Sequence, residues 1–347
     1  MESTIKDVAK LAGTSLMTVS RVLDHRKNVT PETRGKVRWA IKKLHYRPHR
    51  TAIELRTKRS NLVGVVMADI ANPFYPPIVR GIEDVCREHD YNVILCNTDE
   101  DVQRENDFIQ VLKERYTEAI IICSAKAKID NQAELFASFR STVFLNRRPR
   151  NVKGDLVVSD NFKGAYLAVE YLIEKGHQEI AVINGSQCFS TGRERFRGIK
   201  KALRDKGIQL KDKYVEFTNS SIEGGYRAAK ELLNLPSLPT AIFSGNNFMT
   251  LGLMKAIKEA RIKVPDLVSI VGFDETSWSE ITDPPLTTIK QPTYEIGVAA
   301  AKLIMFRLNN PQSPYVEKKL KPTLIIRDSV KQIVQHQTII TEVLMAN

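Results

Sequence analysis

The chain has 347 residues, of which 52 are Lys or Arg and 40 are Asp or Glu, a formal net charge of +12 at pH 7. The charge is segregated: residues 1 to 60 carry 15 Lys and Arg against 5 Asp and Glu, and the rest of the chain is close to neutral. A basic module on a neutral body is the electrostatic footprint of nucleic-acid binding, and the lack of an apolar run long enough to span a bilayer or of a signal peptide excludes a membrane protein and predicts a cytoplasmic one.

The first elements are two short helices. Thr4 with Asp7 three residues on predicts a capped start at Ile5, because the hydroxyl and carboxylate satisfy backbone donors at the positive helix end. Ile5, Val8, Ala9 and Ala12 then form one apolar stripe, and Gly13 supplies the left-handed stop. Thr14 and Ser15 suit the start of a second helix, on which Val19, Val22 and Leu23 face the first. Leu16, Met17, Ser20 and Arg21 are left pointing outward. Apolar side chains on the outer face of so short a helix cost solubility without helping the core, which favours a binding role. In a helix-turn-helix the second helix enters the major groove. There Arg21 can take the paired acceptors of guanine, and Leu16 and Met17 can pack on thymine methyls or the groove wall. The alternative, a small helical hairpin packed on the rest of the protein, does not explain the segregated charge.

A third helix follows, capped by Thr30 with Pro31 in its first position, and its buried stripe is Val37, Ala40, Ile41 and Leu44. Pro48 breaks the pattern. Residues 49 to 56 have the makings of one more short helix before a basic linker at Thr57 to Asn61; it is too short to be stable alone and is expected to order on binding.

From Leu62 the pattern changes to short β-branched runs separated by amphipathic stretches. LVGVVMAD, YNVILC, AIIIC and TVFLN are separated by helical patterns at about 75–90, 102–115 and 131–139. A second series begins near 155 with DLVVS and continues through EIAVIN, YVEF, TAIFS and VSIVGFD, with helical segments near 161–175, 193–206, 223–234 and 247–261. This βαβ alternation predicts two α/β lobes with parallel sheets, each of about a hundred residues. A helix near 294–309 and strands around 315–327 return to complete both lobes. Ligands of such sheets bind outside the carboxyl ends of the strands. The cleft candidates are therefore the polar residues after the strand runs: Asp69 and Asn72, Asn146 and Arg147, Asn246 and Asn247, and Asp274.

No GxGxxG follows a strand, and there is no P-loop, GxSxG or histidine–carboxylate group at metal spacing, so neither an enzyme nor a cofactor nor a metal is expected. Cys86, Cys96 and Cys123 lie in apolar patterns and read as buried thiols, while Cys188 stands beside cleft candidates.

Several strings in order, from Thr4 to Leu23, through YRP at 46–48, ANPFY at 71–75, SDNFKGA at 159–165, GH at 176–177 and GFDE at 272–275 to TTIKQP at 287–292, resemble the LacI/GalR family of bacterial transcriptional regulators over nearly the whole chain. The resemblance implies a three-helix headpiece at 1–47 and a hinge helix and linker at 48–60. It further implies two doubly wound lobes like periplasmic sugar-binding proteins at 61–330 and a tail at 331–347. One lobe takes about 61–160 with 293–320, the other about 161–290 with 321–330. Leu16, Met17 and Arg21 fall at base-reading positions, and Thr4, Ser15, Thr18, Ser20 and Asn28 complete the expected DNA-binding set. Leu55 matches the hinge leucine that wedges into the minor groove, kinking the duplex.

By the same resemblance, Asn72, Phe74, Tyr75, Asn146 and Arg147 on one lobe contact an effector. So do Thr191, Arg195, Asn247 and Asp274 on the other, with Phe189 and Ser220 at positions that vary with the ligand. The mixture of amides, carboxylates, guanidinium groups and aromatics suits a polyhydroxylated ligand, and Arg147, Arg193 and Arg195 together raise a sugar acid beside a neutral sugar. Asn247 departs from the family's frequent aspartate.

The function implied is a sequence-specific regulator, read as a repressor, of carbohydrate utilisation. It would bind a pseudo-palindromic operator as a homodimer, since two half-sites require two-fold symmetry. A tetramer is not predicted, because the apolar residues from Ile333 to Leu344 do not make three or four clean heptads. The alternatives are a sugar-binding transport protein, a nonspecific DNA-packaging protein and, within the family, a global catabolite regulator with a phosphorylated carrier protein as corepressor. Tyr294, Glu295 and Ile296 loosely match that last subgroup, but Lys302 stands where it has arginine.

Overall fold

The computed structural model describes residues 3–23, 28–46 and 60–333. The chain forms two compact units, Met1–Ser60 and Asn61–Asn347.

In the first unit, α1 (Ile5–Ala12), α2 (Leu16–Leu23) and α3 (Pro31–Lys43) form a minimal core. The capping box at Thr4 is complete: the Thr4 N–H donates to Asp7 Oδ2 at 2.8 Å, and the Asp7 N–H donates to Thr4 Oγ1 at 3.4 Å. Gly13 closes α1 at φ 62°, a conformation that costs glycine nothing. Ser15 starts α2 by accepting the Thr18 N–H at 3.1 Å, and Thr30 starts α3 by accepting the Thr33 N–H, with Pro31 in the first turn. Val8, Val19, Val22 and Val37 are buried at the centre, and Ile41, Leu44 and Leu23 pack against them partly exposed. Tyr46 adds its ring to this core. The expected hinge helix at 49–56, with Leu55, and most of the C-terminal tail lie outside the described residues.

The second unit holds two six-stranded sheets. Strands β1 (Leu62–Met67), β2 (Asn92–Asn97), β3 (Ala119–Ile122), β4 (Ser141–Leu145) and β5 (Asp155–Ser159) alternate with α4 (Tyr75–Glu88), α5 (Val102–Glu114) and the short α6 (Gln132–Phe136). Strands β6 (Ile180–Gly185), β7 (Val215–Thr218), β8 (Ala241–Ser244), β9 (Ser269–Phe273) and β10 (Thr287–Lys290) follow. They come with α7 (Asn161–Glu174), α8 (Ser190–Asp205), α9 (Ile222–Leu233), α10 (Asn247–Glu259) and α11 (Thr293–Asn309). Two short strands, β11 (Glu317–Leu320) and β12 (Thr323–Ile325), end the pattern. The first sheet runs β11-β5-β4-β3-β1-β2, all parallel; the second runs β12-β10-β9-β8-β6-β7, parallel except for β12. Helices cover both faces of each sheet, which is why β3, β6, β8 and β9 are buried along their whole length and read as unbroken apolar runs.

Two sequence expectations change here. DLVVS opens no second series: as β5 it pairs in register with β4 and β11 and belongs to the first sheet. The helical pattern at 131–139 shrinks to Gln132–Phe136. The chain passes between the lobes after β5, after β10 and after β11.

Helix α11 follows a strand of the second sheet but packs on α4 against the first. The two approach so closely that a Cβ at Gly81 would lie 2.3 Å from the Tyr294 carbonyl oxygen, and one at Gly297 would lie 2.0 Å from that of Ile78. The return is locked by Arg307, whose Nε and Nη2 each donate to the Asp155 carboxylate at 2.8 Å, both side chains being almost fully buried.

His177 shows how the second lobe is closed. Its ring is fully buried, with Nδ1 3.0 Å from Thr240 Oγ1 and Nε2 3.2 Å from the Lys331 carbonyl oxygen. The Lys331 carbonyl can only accept, so Nε2 carries the proton in the neutral ring; the Thr240 hydroxyl also lies 3.2 Å from the Glu179 carbonyl oxygen, to which it donates. Burial pushes the ring's pKa down to about 4, so the unfolded chain takes up a proton before the folded one does. The neutral ring's contribution is complete above about pH 6.5 and lost as pH falls toward 4, worth about 2–3 kcal/mol over that window. Chemical denaturation of the full chain at stepped pH is expected to show this fall, and a His177→Gln variant should flatten it. An unchanged slope in the variant would assign the acid sensitivity to another group.

Candidate functional site

Two places in the molecule present side chains that the core does not use. The first is the outer face of α2. Leu16 is 45% and Met17 64% exposed, and Arg21 is exposed beside them. The helix turns its other face inward through Val19 and Val22, so this apolar–cationic face is fixed by the packing of the first unit. Thr4, Ser15 and Asn28 are also exposed, and Thr18 and Ser20 are half-buried. Ser15 and Thr18 share a hydroxyl–hydroxyl hydrogen bond of 2.9 Å at the cap.

The second place is the cleft between the two sheets. Both sheets have the order of a doubly wound fold whose direction reverses beside its first strand, at β1/β3 and at β6/β8, and the crevice opens at those carboxyl ends. The cavity is about 690 Å³. Its floor from the first lobe is Phe74 and Tyr75, whose rings meet edge to face at 5.0 Å, with Asn146 and Arg147 after β4. From the second lobe come Arg195 on α8, Asp274 after β9 and Gln291 after β10. Asn146 and Asp274 have positive φ, 61° and 79°, as do Asp99 and Glu100 in the same wall. Backbone held in that region costs about 1–3 kcal/mol per residue and is found where function fixes the direction of a side chain.

The charges are tied to the frame. Arg147 donates from Nη1 and Nη2 to both oxygens of Glu100 at 2.5 Å, and its guanidinium lies 4.2 Å from the centre of the Phe189 ring. Arg195 donates to Asn161 Oδ1 at 2.8 Å and to the Gly245 carbonyl, and it stacks 3.8 Å from the centre of Phe273. Asp274 accepts from Gln291 Nε2 at 2.5 Å and from the Asn247 N–H at 3.3 Å. Burial raises its pKa above the usual carboxylate value, with the Arg195 charge and these two donors pulling the other way. Three buried atoms in the wall have no partner among the described residues: the acceptors Asn146 Oδ1 and Gln291 Oε1 and the donor Arg147 Nε. Leaving such groups without a partner costs about 1–3 kcal/mol each.

Of the cleft residues expected from sequence, Asn72, Phe74, Tyr75, Asn146 and Arg147 line the cavity, as do Phe189, Thr191, Arg195, Ser220 and Asp274. Asn247 does not. It is 1% exposed, and its Nδ2 donates across the lobes to Asn72 Oδ1 at 2.8 Å, so its amide joins the two halves of the cleft wall instead of reaching the cavity. Arg193 turns away as well, donating to the Gln187 and Cys188 carbonyls. The three arginines, Arg147, Arg193 and Arg195, are not gathered in the cleft. Glu100 is paired with Arg147 and Asp99 with Arg104, which leaves Asp69, Glu223 and Asp274 beside Arg195. Asp99, Glu100, Ser186, Asn219 and Gln291 were missed although each follows a strand end; the rule that named Asn146 and Asp274 reaches them when applied to β2, β6, β7 and β10 as well.

Residues 4–49 match the family of bacterial regulatory proteins of the lacI type, and residues 60–322 match the periplasmic binding proteins and sugar binding domain of the LacI family. The transcriptional regulator RegA of Clostridium saccharobutylicum is 35% identical over 95% of this chain and 99% of its own. The ribose operon repressor of Escherichia coli K12 is 33% identical over 94% and 99%. Among solved structures, the lac repressor dimer bound to operator and the anti-inducer ONPF is 29% identical, covers 95% of this chain and 100% of that one, and superposes with a TM-score of 0.84.

Proposed function

The chain belongs to the LacI family of bacterial regulatory proteins, and from that premise we propose that it represses a carbohydrate-utilisation pathway, its hold on operator DNA set by a neutral sugar in the cleft. The observation that carries the sugar reading is the cavity lining: carboxylates, amides, hydroxyls and arginines gathered around the Phe74 and Tyr75 rings. Hydroxyls can donate to the carboxylates and amide oxygens and accept from the arginines, while the sugar's apolar face packs on the aromatics. The excess of carboxylates favours a neutral sugar over a sugar acid, which would meet like charge.

Leu16, Met17 and Arg21 are proposed to read bases, with Thr4, Ser15, Thr18, Ser20 and Asn28 holding the backbone and Leu55 wedging the minor groove from the hinge. The operator-bound lac repressor dimer supports a homodimer on a two-fold site. The named relatives are regulators and support a non-enzymatic role beside the chromosome in the cytoplasm; no helix among the described residues is long and apolar enough to cross a membrane. The catabolite-regulator reading is kept as the alternative; of its matching residues only Ile296 is buried. Tyr294 is 42% exposed, its hydroxyl donating to Asp84 on α4 at 3.1 Å, and Ile296 is buried between helices.

Selecting duplexes from a random library with the full chain is expected to return a near-palindrome of two half-sites. Arg21→Ala should lose about 1–3 kcal/mol of base discrimination at one position per half-site, with nonspecific affinity nearly kept. In the same assay neutral sugars, not sugar acids, should change operator affinity. Enrichment of no sequence would sink the regulator reading, and a response to sugar acids alone would sink the neutral one.

A further inference from the structure

We propose that Glu118 is a positioning residue for operator binding: its carboxylate fixes the backbone at Asn61, where the chain passes from the first unit into the second. The proposal rests on the regulator reading above. Glu118 is 4% exposed and stands just before β3, yet it meets groups at the amino ends of three other strands. Its Oε1 accepts the Asn61 N–H at 2.9 Å, immediately before β1. Its Oε2 accepts the Tyr91 hydroxyl at 3.3 Å, before β2, and Arg140 Nη1 at 2.6 Å, before β4. Arg140 Nη2 donates in turn to the Leu308 carbonyl on α11 at 3.2 Å.

The division of the carboxylate between partners argues for a role beyond charge balance. An ion pair that only closed the amino-terminal edge of the sheet would need Arg140, and Oε2 supplies that contact. Oε1 is turned instead on the first residue of the second unit, 57 positions away in sequence. A backbone N–H bonded to a carboxylate is among the stronger hydrogen bonds a side chain makes. Asn61 is held from two further sides: its carbonyl accepts the Asn92 N–H at 2.8 Å, and its Nδ2 donates to the Asp90 carbonyl at 3.2 Å. Its φ is 52°, so these bonds fix a conformation that most side chains disfavour.

A fixed entry matters for the operator because two headpieces must reach two half-sites at once. A loosely held linker adds orientations that are lost on binding, and that loss falls on the specific site. Nonspecific binding draws on the headpiece charge alone and is spared.

The test compares the affinity of the full chain for the selected near-palindrome with that for a scrambled duplex of equal length, at one salt concentration and below the melting temperature of every variant. Glu118→Ala should lower the ratio of the two affinities by roughly tenfold or more, with the scrambled duplex bound within about twofold of the parent. Asn61→Val keeps both the N–H and the carboxylate but puts a β-branched side chain at positive φ, and it should lower the ratio in the same way. Arg140→Gln should melt lower yet keep the ratio within about threefold, because Oε1 still accepts the Asn61 N–H. A parent-like ratio in Asn61→Val, or a fall in Arg140→Gln as deep as that in Glu118→Ala, overturns the proposal and leaves the regulator reading standing. Asn61→Val decides alone if Glu118→Ala does not fold. A parent protein that prefers no duplex overturns the regulator reading, and this proposal with it.

Discussion

Replacing Arg195 with alanine is expected to weaken any sugar that shifts operator affinity by roughly 30- to 1000-fold, the equivalent of about 2–4 kcal/mol. Arg195 is 8% exposed and is the cation nearest in effect to Asp274, whose carboxylate it opposes in the cleft wall. The substitution removes a charged donor to the ligand and also leaves Asp274 buried with only the Gln291 and Asn247 donors. Those two losses separate in a second variant. Asp274→Asn in the Arg195→Ala background should restore thermal stability, because no buried carboxylate remains, and should not restore sugar binding. Arg195→Lys should also bind poorly: an ammonium cannot keep the Asn161 and Gly245 contacts together with the stack on Phe273. Titration of operator release alongside melting curves reads both quantities. Full sugar response in a folded Arg195→Ala protein would remove this residue from the site.

The largest effect on stability is expected at Arg307. An Arg307→Leu substitution should cost about 3–5 kcal/mol, because it strands a carboxylate that is 1% exposed. The pair does more than balance charge. Asp155 Oδ1 also accepts the Val316 N–H at 2.8 Å, and Arg307 also donates to the Ser313 and Pro314 carbonyls, so one cluster ties the end of α11 and the entry to β11 to the start of β5. These are segments far apart in sequence, at a place where the chain has just returned from the second lobe. Asp155→Leu combined with Arg307→Leu should recover more than half of the loss, since a well-packed apolar pair dispenses with the desolvation of both ions. Denaturant midpoints of the single and double variants decide it, and equal losses in both would mean that the carbonyl contacts, not the ion pair, hold the join.

These two arginines also mark the limits of what was legible in the chain. Arg195 lies in a string recognisable as a family motif, and its role in the cleft was named from that. Arg307 sits inside an amphipathic helix pattern and gives no sign that its partner is 152 residues away. The cleft shows the same division. Asn146 and Asp274 follow apolar strand runs and were found by position alone, yet nothing local marks Asn247 as a link between lobes rather than a ligand contact. Its direction depends on where Asn72 lies in the other lobe, 175 residues distant. The sign of the cleft's charge was misread for a related reason. Asp69 and Asp274 stood among the cleft candidates, but Asp99 and Glu100 after β2 and Glu223 on α9 did not, and they enter the same wall.

From sequence alone followed the headpiece helices with their caps, the outward placement of Leu16, Met17 and Arg21, and the alternation that makes two parallel sheets. Each depends on interactions within one or two helical turns or on the burial period of a single element, which the residues encode directly. Tertiary structure alone decided that β11 pairs outside β5, that α11 packs on α4, that Asn72 meets Asn247, and which charges face one another in the cleft. Those outcomes depend on distances between groups remote in sequence, and only packing the lobes determines them.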